Sequence, residues 1–196
     1  MTIRTDNKRI VLFDADGTLR RCTIPGQPCP NKDGEWELLP GVREKISTLK
    51  NMELICLVSN QAGIAYGHLT HEMANLLLRD LLTVVLDGLS LPKLLGASIE
   101  CCPHAVDAGC ICRKPSPYML FFAMANLVGP KHPVLRRDEV LFVGDMRSDK
   151  EAAERAGIEF AWACEFFGWD EPCIGKKEEA AIQKECEEHG YASSRP

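Results

Sequence analysis

The chain has 196 residues, 45% of them hydrophobic, which is enough for one full core and within the size range of a single domain. With 23 Lys and Arg against 28 Asp and Glu the formal charge is -5, and no basic block is present, which argues against tight nonspecific binding to nucleic acid. Residues 1–9 are polar and no apolar run approaches the roughly 18–20 residues needed to cross a bilayer, so a cytoplasmic monomer with no membrane attachment is expected.

The first predicted element is the apolar run 10–13, a strand covered on both faces. It stops at Asp14-Ala15-Asp16-Gly17-Thr18. In an extended segment Asp14 and Asp16 share one face, and two anions so close repel unless a cation or a shared proton relieves them. In parallel α/β sheets the ligand crevice lies beyond the carboxyl ends of such strands. Residues 19–39, with Pro25, Pro28 and Pro30, read as a flap-like loop too polar and broken for a regular element. Pro40-Gly41 introduces a helix over 42–50, and a second strand over 53–58 ends at Ser59-Asn60-Gln61.

Thr70 can cap a helix running to about Leu86, with Met73, Leu76, Leu77, Leu81, Val84 and Val85 as a core stripe that implies no cofactor. A third strand over 97–101 leads into a cysteine loop, 101–113, with Arg113 and Lys114 at its exit, and 116–128 resumes a helical pattern. A fourth strand over 140–143 is closed by Gly144-Asp145-Met146-Arg147-Ser148-Asp149. A helix over 150–156 capped by Gly157 follows, then a fifth strand over 158–163. Residues 176–196 form a terminal helix, to His189, and a frayed tail. This alternation predicts an α/β fold: a Rossmann-like parallel sheet with helices on both faces, one domain over 1–196 and no large cap. The site is then open, or partly closed by 19–39.

Ten cysteines would suggest a disulfide framework in a secreted protein. Here Cys102, His104, Cys110 and Cys112 place four soft ligands within eleven residues, the donor set of a closed tetrahedral Zn²⁺ site that contributes folding free energy. Cys101 is the rival of Cys102, set aside because it ends the predicted strand. Cys22, Cys29, Cys56, Cys164, Cys173 and Cys186 lack ligand spacing and read as small buried or surface thiols.

Four strands thus end in groups suited to a phosphoryl ligand: Asp14 and Asp16, Ser59 and Asn60, Lys114, and Asp145 with Asp149. This order resembles the haloacid dehalogenase-like superfamily over residues 9–163. The runs Leu39-Pro40-Gly41-Val42, Ser59-Asn60-Gln61-Ala62-Gly63-Ile64-Ala65, Cys102-Pro103-His104 and Cys112-Arg113-Lys114-Pro115 are similar to its subclass IIIA heptose bisphosphate and histidinol phosphatases. That subgroup carries a structural zinc. The resemblance implies a phosphomonoesterase, and the chemistry assigns roles within it. Phosphate esters hydrolyse very slowly, so a catalyst must neutralise the phosphoryl oxygens, align a nucleophile and protonate the leaving oxygen.

Mg²⁺ suits the first task, with Asp14, the Asp16 carbonyl and Asp145 as ligands and Asp149 binding it or orienting from behind. Lys114 and Ser59 complete a phosphate cradle, Asp14 is the nucleophile that forms an aspartyl-phosphate, and Asp16 is the acid and base. By resemblance Asn60 and Arg113 contact the substrate. The expected substrate is a small phosphorylated metabolite, such as the sugar bisphosphate D-glycero-D-manno-heptose 1,7-bisphosphate. Ala15 departs from the subgroup, where Arg is common between the two aspartates, and Arg147 and Phe166-Phe167-Gly168-Trp169 depart as well. Histidinol-phosphatase-like activity and polynucleotide 3'-phosphatase activity are the alternatives, nucleic acid entering only as substrate. A catalytically silent phosphate-binding domain is a third.

Overall fold

The computed structural model describes residues 5–127 and 136–188. The expected helix end at 128, the helix end at His189 and the tail beyond it lie outside the described residues. Five strands, β1 (Ile10–Phe13), β4 (Leu54–Asn60), β5 (Gly96–Cys102), β6 (Val140–Gly144) and β7 (Glu159–Trp162), form one sheet in the order β5-β4-β1-β6-β7. Every pairing within it is parallel, so β1 sits at the centre and the carboxyl ends line up on one edge.

All four residues of β1 are buried because helices cover both faces. Strand alternation sends Val11 and Phe13 to one layer, where they meet α1 (Val42–Ser47) and α2 (His71–Leu86) through Ile46, Leu78, Leu81 and Val85. It sends Ile10 and Leu12 to the other, against Leu120 and Ala123 of α3 (Tyr118–Leu127) and Ala152, Ala153 and Ala156 of α4 (Arg147–Ala156). Alanines on α4 let that helix lie close to the sheet. Among the described residues no helix is long and apolar enough to cross a membrane.

Several boundaries differ from the sequence expectation. The loop 19–39 contains an antiparallel hairpin, β2 (Arg20–Cys22) with β3 (Trp36–Leu38), in which Arg20 faces Leu38 and Cys22 faces Trp36. Its proline-rich tip hides these short strands, yet Glu35 gathers the tip by accepting hydrogen bonds from the Asn31 backbone and the Gln27 amide. Strand β4 runs on through Ser59 and Asn60, which pair in register with Cys101 and Cys102 instead of opening a loop.

Helix α1 stops at Ser47, and α4 begins at Arg147 because Asp149 Oδ2 accepts the Met146 N–H at 3.0 Å and caps its first turn. Thr70 caps α2 as expected, its Oγ1 accepting from Met73 N–H at 3.1 Å. The buried stripe of α2 is Ala74, Leu77, Leu78, Leu81, Leu82 and Val85, while Leu76 and Val84 are exposed. The last strand ends at Trp162, and Ala163 opens the short α5 (Ala163–Phe167) ahead of α6 (Ile174–Glu188).

The aromatic run unexplained by sequence is packing. Phe166 meets Phe13 edge-on and Phe167 stacks on it, and Trp169 Nε1 donates to the Pro40 carbonyl at 2.8 Å, fastening α5 to the segment that precedes α1.

Candidate active site and metal cluster

Strand β1 delivers Asp14 at the carboxyl edge, where its backbone N–H donates to the Val143 carbonyl at 3.0 Å. The chain then turns at Gly17, whose φ of 85° is a left-handed value. A Cβ there would also lie 2.4 Å from Asp145 Oδ2, so glycine is needed twice, for the turn and for the approach of β6. At Gly144 a Cβ would lie 2.4 Å from that of Asp149. These two glycines allow Asp14, Asp145 and Asp149 to converge, with carboxylate oxygens within 4.8 Å of one another.

Lys114 enters the same cluster: its Nζ lies 2.5 Å from Asp14 Oδ1 and 2.7 Å from Asp149 Oδ1, and donates to the Val58 carbonyl at 2.7 Å. All four side chains are buried. Burial holds the Asp14 carboxyl well above its ordinary range, opposed by Lys114 and reinforced by Asp149 and Asp145. Burial, then Asp149, pushes Asp145 up to about 7, against the hydroxyl donated by Thr18 at 3.1 Å. Burial opposes the charge on Lys114, but the two carboxylates outweigh it and its net shift is upward. Fully ionised, the three carboxylates around one ammonium carry two surplus negative charges. That deficit fits a hard divalent cation taking oxygen ligands.

The cluster stores electrostatic cost when metal-free, and a test follows. Asp145→Asn should raise the melting temperature of zinc-loaded protein dialysed free of Mg²⁺ by a few degrees, corresponding to about 2 kcal/mol, while removing metal-stimulated turnover. The wild-type carboxyl holds its proton below about 7, so the gain should be largest above that pH and fade toward pH 4, near its unfolded value. A melting curve unchanged across this range would contradict the reading.

Asp16 points away from the carboxylate cluster. Its Oδ1 is 2.7 Å from Arg20 Nε, and its Oδ2 accepts from Gln61 Nε2 at 2.9 Å, which also reaches Ser59 Oγ at 2.7 Å. Arg20 is wholly buried, donates from Nη1 to the Leu77 carbonyl of α2 at 3.0 Å, and lies over the Trp36 ring. Arg20 and Gln61 were missed by sequence reasoning. The one available signal was the i, i+4 relation of Arg20 to Asp16 across the turn.

Ser59, expected beside Lys114, joins this second network through Gln61. The Asn60 amide, which the resemblance offers to substrate and which could equally hold its turn, accepts from the Lys114 backbone N–H at 3.0 Å and donates to its carbonyl at 3.2 Å. Arg113 is half-buried, and its Nη1 is buried with no hydrogen-bond partner among the described residues.

Immediately before Arg113, the cysteine loop folds into a second cluster. Cys102 Sγ lies 3.5 Å from Cys110 Sγ, 3.3 Å from Cys112 Sγ and 3.6 Å from His104 Nδ1. Cys112 Sγ lies 3.7 Å from Cys110 Sγ and 3.2 Å from His104 Nδ1. Bonds of about 2.3 Å to sulfur and 2.0 Å to nitrogen put the ligand atoms of tetrahedral zinc about 3.5–3.8 Å apart, close to these spacings. Cys102 is the inward residue at the end of β5 and packs on the α3 face, whereas Cys101 packs on the opposite one. Alternation along β5 therefore selects Cys102, although the strand ends one residue later than expected. Closing this loop fixes the approach of Lys114, which Asn60 holds to the neighbouring strand.

The model of the family described as "Polynucleotide kinase 3 phosphatase" matches residues 9–167. The D-glycero-beta-D-manno-heptose-1,7-bisphosphate 7-phosphatase of Pseudomonas putida is 36% identical over 129 residues, 64% of this chain and 66% of that protein, just under two thirds of its length. The bifunctional histidine biosynthesis protein HisB of Legionella pneumophila is 27% identical over 187 residues, 92% of this chain and 49% of that protein. Among solved structures, the D,D-heptose 1,7-bisphosphate phosphatase of Bordetella bronchiseptica, complexed with magnesium and phosphate, superposes with a TM-score of 0.62 at 24% identity. It covers 90% of this chain and 99% of that one, and shares the fold.

Proposed function

The chain belongs to the polynucleotide kinase 3 phosphatase family and is a haloacid dehalogenase-like phosphatase, and from that premise we propose that it removes one phosphate from a small sugar bisphosphate. The observation that carries this reading is the buried cluster of Asp14, Asp145 and Asp149 on Lys114, at the carboxyl edge of the sheet. Asp14, Asp145 and Asp149 would hold Mg²⁺ together with the Asp16 carbonyl. Bound there, the cation neutralises phosphoryl oxygens and keeps Asp14 ionised. An Asp14 carboxylate oxygen attacks phosphorus as the bond to the ester oxygen breaks, giving an aspartyl-phosphate. Lys114 offsets charge on the phosphoryl group. Asp16 gives a proton to the departing alkoxide, then takes one from the water that releases phosphate and restores Asp14. Arg20 and Gln61 orient Asp16, Ser59 supports Gln61, and Asn60 positions Lys114.

A sugar bisphosphate is favoured because the relative from Pseudomonas putida bears that activity in its name, and because Arg113, next to Lys114, has a buried Nη1 without a hydrogen-bond partner among the described residues, a cation we assign to a second anionic group. Arg113→Gln should raise KM for a bisphosphate about tenfold or more with a smaller effect on a monophosphate, measured by phosphate release. Equal losses on both would remove Arg113 from substrate recognition. A screen covering sugar bisphosphates, histidinol phosphate, nucleotides and 3'-phosphorylated oligonucleotides tests the assignment. Preference for the oligonucleotide would replace it with the 3'-phosphatase reading, against which the acidic balance of the chain weighs.

Cys102, His104, Cys110 and Cys112 are assigned to structural Zn²⁺. Metal analysis should find about one zinc per chain, lost on joint Cys110→Ser and Cys112→Ser substitution together with much of the thermal stability. Zinc-free protein with an unchanged melting temperature would refute that assignment.

A further inference from the structure

Two cysteines outside both clusters face each other near the start of α6. Cys164 lies in α5, and Cys173 immediately precedes α6. Gly168, left-handed at φ 77°, reverses the chain between them, and the Trp169 N–H donates to the Cys164 carbonyl at 2.8 Å. That turn brings the two Sγ atoms to 2.9 Å. About 0.9 Å of approach would reach the ~2.05 Å of a disulfide bond.

The Cys164 side of the pair is buried, and Cys173 is half-buried. Access comes from a cleft of about 560 Å³ bounded by Cys164, Trp169, Pro172, Lys176, Lys177 and Ala180. Lys176, paired with Glu165, also places its positive charge near both sulfurs. A small uncharged oxidant could therefore enter beside the Cys164 sulfur, while burial pushes the Cys173 thiol up to about 12.

We propose that Cys164 and Cys173 form a redox-active dithiol, a modification site at which hydrogen peroxide converts the pair into a disulfide that ties the start of α6 to α5. The Cys164 thiolate attacks one peroxide oxygen, the O–O bond breaks, and hydroxide leaves with the electron pair, giving a sulfenic acid. The Cys173 sulfur then attacks the sulfenic sulfur, losing its proton as the hydroxyl departs as water. Two thiols are oxidised by two electrons and one peroxide is reduced to two waters. The half-buried Cys173 is placed to resolve the sulfenic acid before it is oxidised further. Two residues on, the Gly175 N–H donates to the Asp145 carbonyl at 2.8 Å, so the cross-link bears on the backbone that carries Asp145.

The test uses the zinc-loaded 196-residue chain, hydrogen peroxide in modest excess, alkylation of the remaining thiols under denaturing conditions, and digestion at glutamates. Cleavage after Glu165 separates the two cysteines into different peptides. The expected product is these peptides joined with loss of two hydrogens and parted again by reductant. In Cys173→Ser the reaction should stop at a sulfenic acid on Cys164 that dimedone traps. Oxidised wild-type protein should melt a few degrees above reduced protein, and neither Cys164→Ser nor Cys173→Ser should show that rise. Recovery of Cys164 and Cys173 both alkylated, while peroxide has already oxidised cysteines of the 102–112 loop, would overturn the proposal. So would cross-linking of either one mainly to a different cysteine. These readouts are covalent and thermal, and hold or fail independently of the substrate.

Discussion

Asp14→Asn should reduce turnover by about a thousandfold or more while leaving the protein folded. The amide keeps the shape of the side chain and can still meet Lys114 Nζ, 2.5 Å from Asp14 Oδ1 in the native site, through its carbonyl oxygen. It cannot form the aspartyl-phosphate, and it removes one of the three charges that attract the cation. The loss should therefore fall on kcat and persist at saturating Mg²⁺. A variant impaired only in metal binding would instead recover as Mg²⁺ is raised. Because Asp14 is buried among like charges, the metal-free variant should also be at least as stable as the wild type. Rapid phosphate release by Asp14→Asn, with or without excess magnesium, would end the nucleophile assignment.

How far the chain could be read in advance follows from how local each signal is. Strand β1 was legible because four consecutive apolar residues have to be covered on both sides, and the carboxylates that follow have only the strand end to occupy. The Cys/His cluster was legible because its ligands lie within one loop. Illegible features depend on what other segments cover. Arg20 looks like an ordinary surface cation beside Arg21, yet the hairpin, Trp36 and α2 close over it and leave Asp16 as its charge partner. Ser59 and Asn60 look like the start of a loop, but β5 extends alongside them and keeps them in the sheet. Cys164 and Cys173 have no motif spacing, and only the turn at Gly168 brings them together.

Arg20→Met should destabilise the fold by about 3–5 kcal/mol, a fall in melting temperature of about 10 °C, although the volume of the side chain is nearly kept. The cost arises from what is stranded. Asp16 loses the guanidinium 2.7 Å away, and the Leu77 carbonyl loses its buried donor at 3.0 Å. If the damage is mainly the unpaired Asp16 charge, adding Asp16→Asn should recover part of the stability, so that the double variant costs less than the sum of the single ones. The catalytic effect should depend on the leaving group. Asp16 matters most when an alkoxide must be protonated as it leaves, so Arg20→Met should slow alkyl phosphates about tenfold or more and aryl phosphates much less. Loss of the same size for both esters would make Arg20 a packing residue alone. A selective loss for alkyl esters, shared by Arg20→Met and Asp16→Asn and not enlarged in the double variant, would show that Arg20 acts through Asp16 and that the hairpin carrying it belongs to the catalytic apparatus.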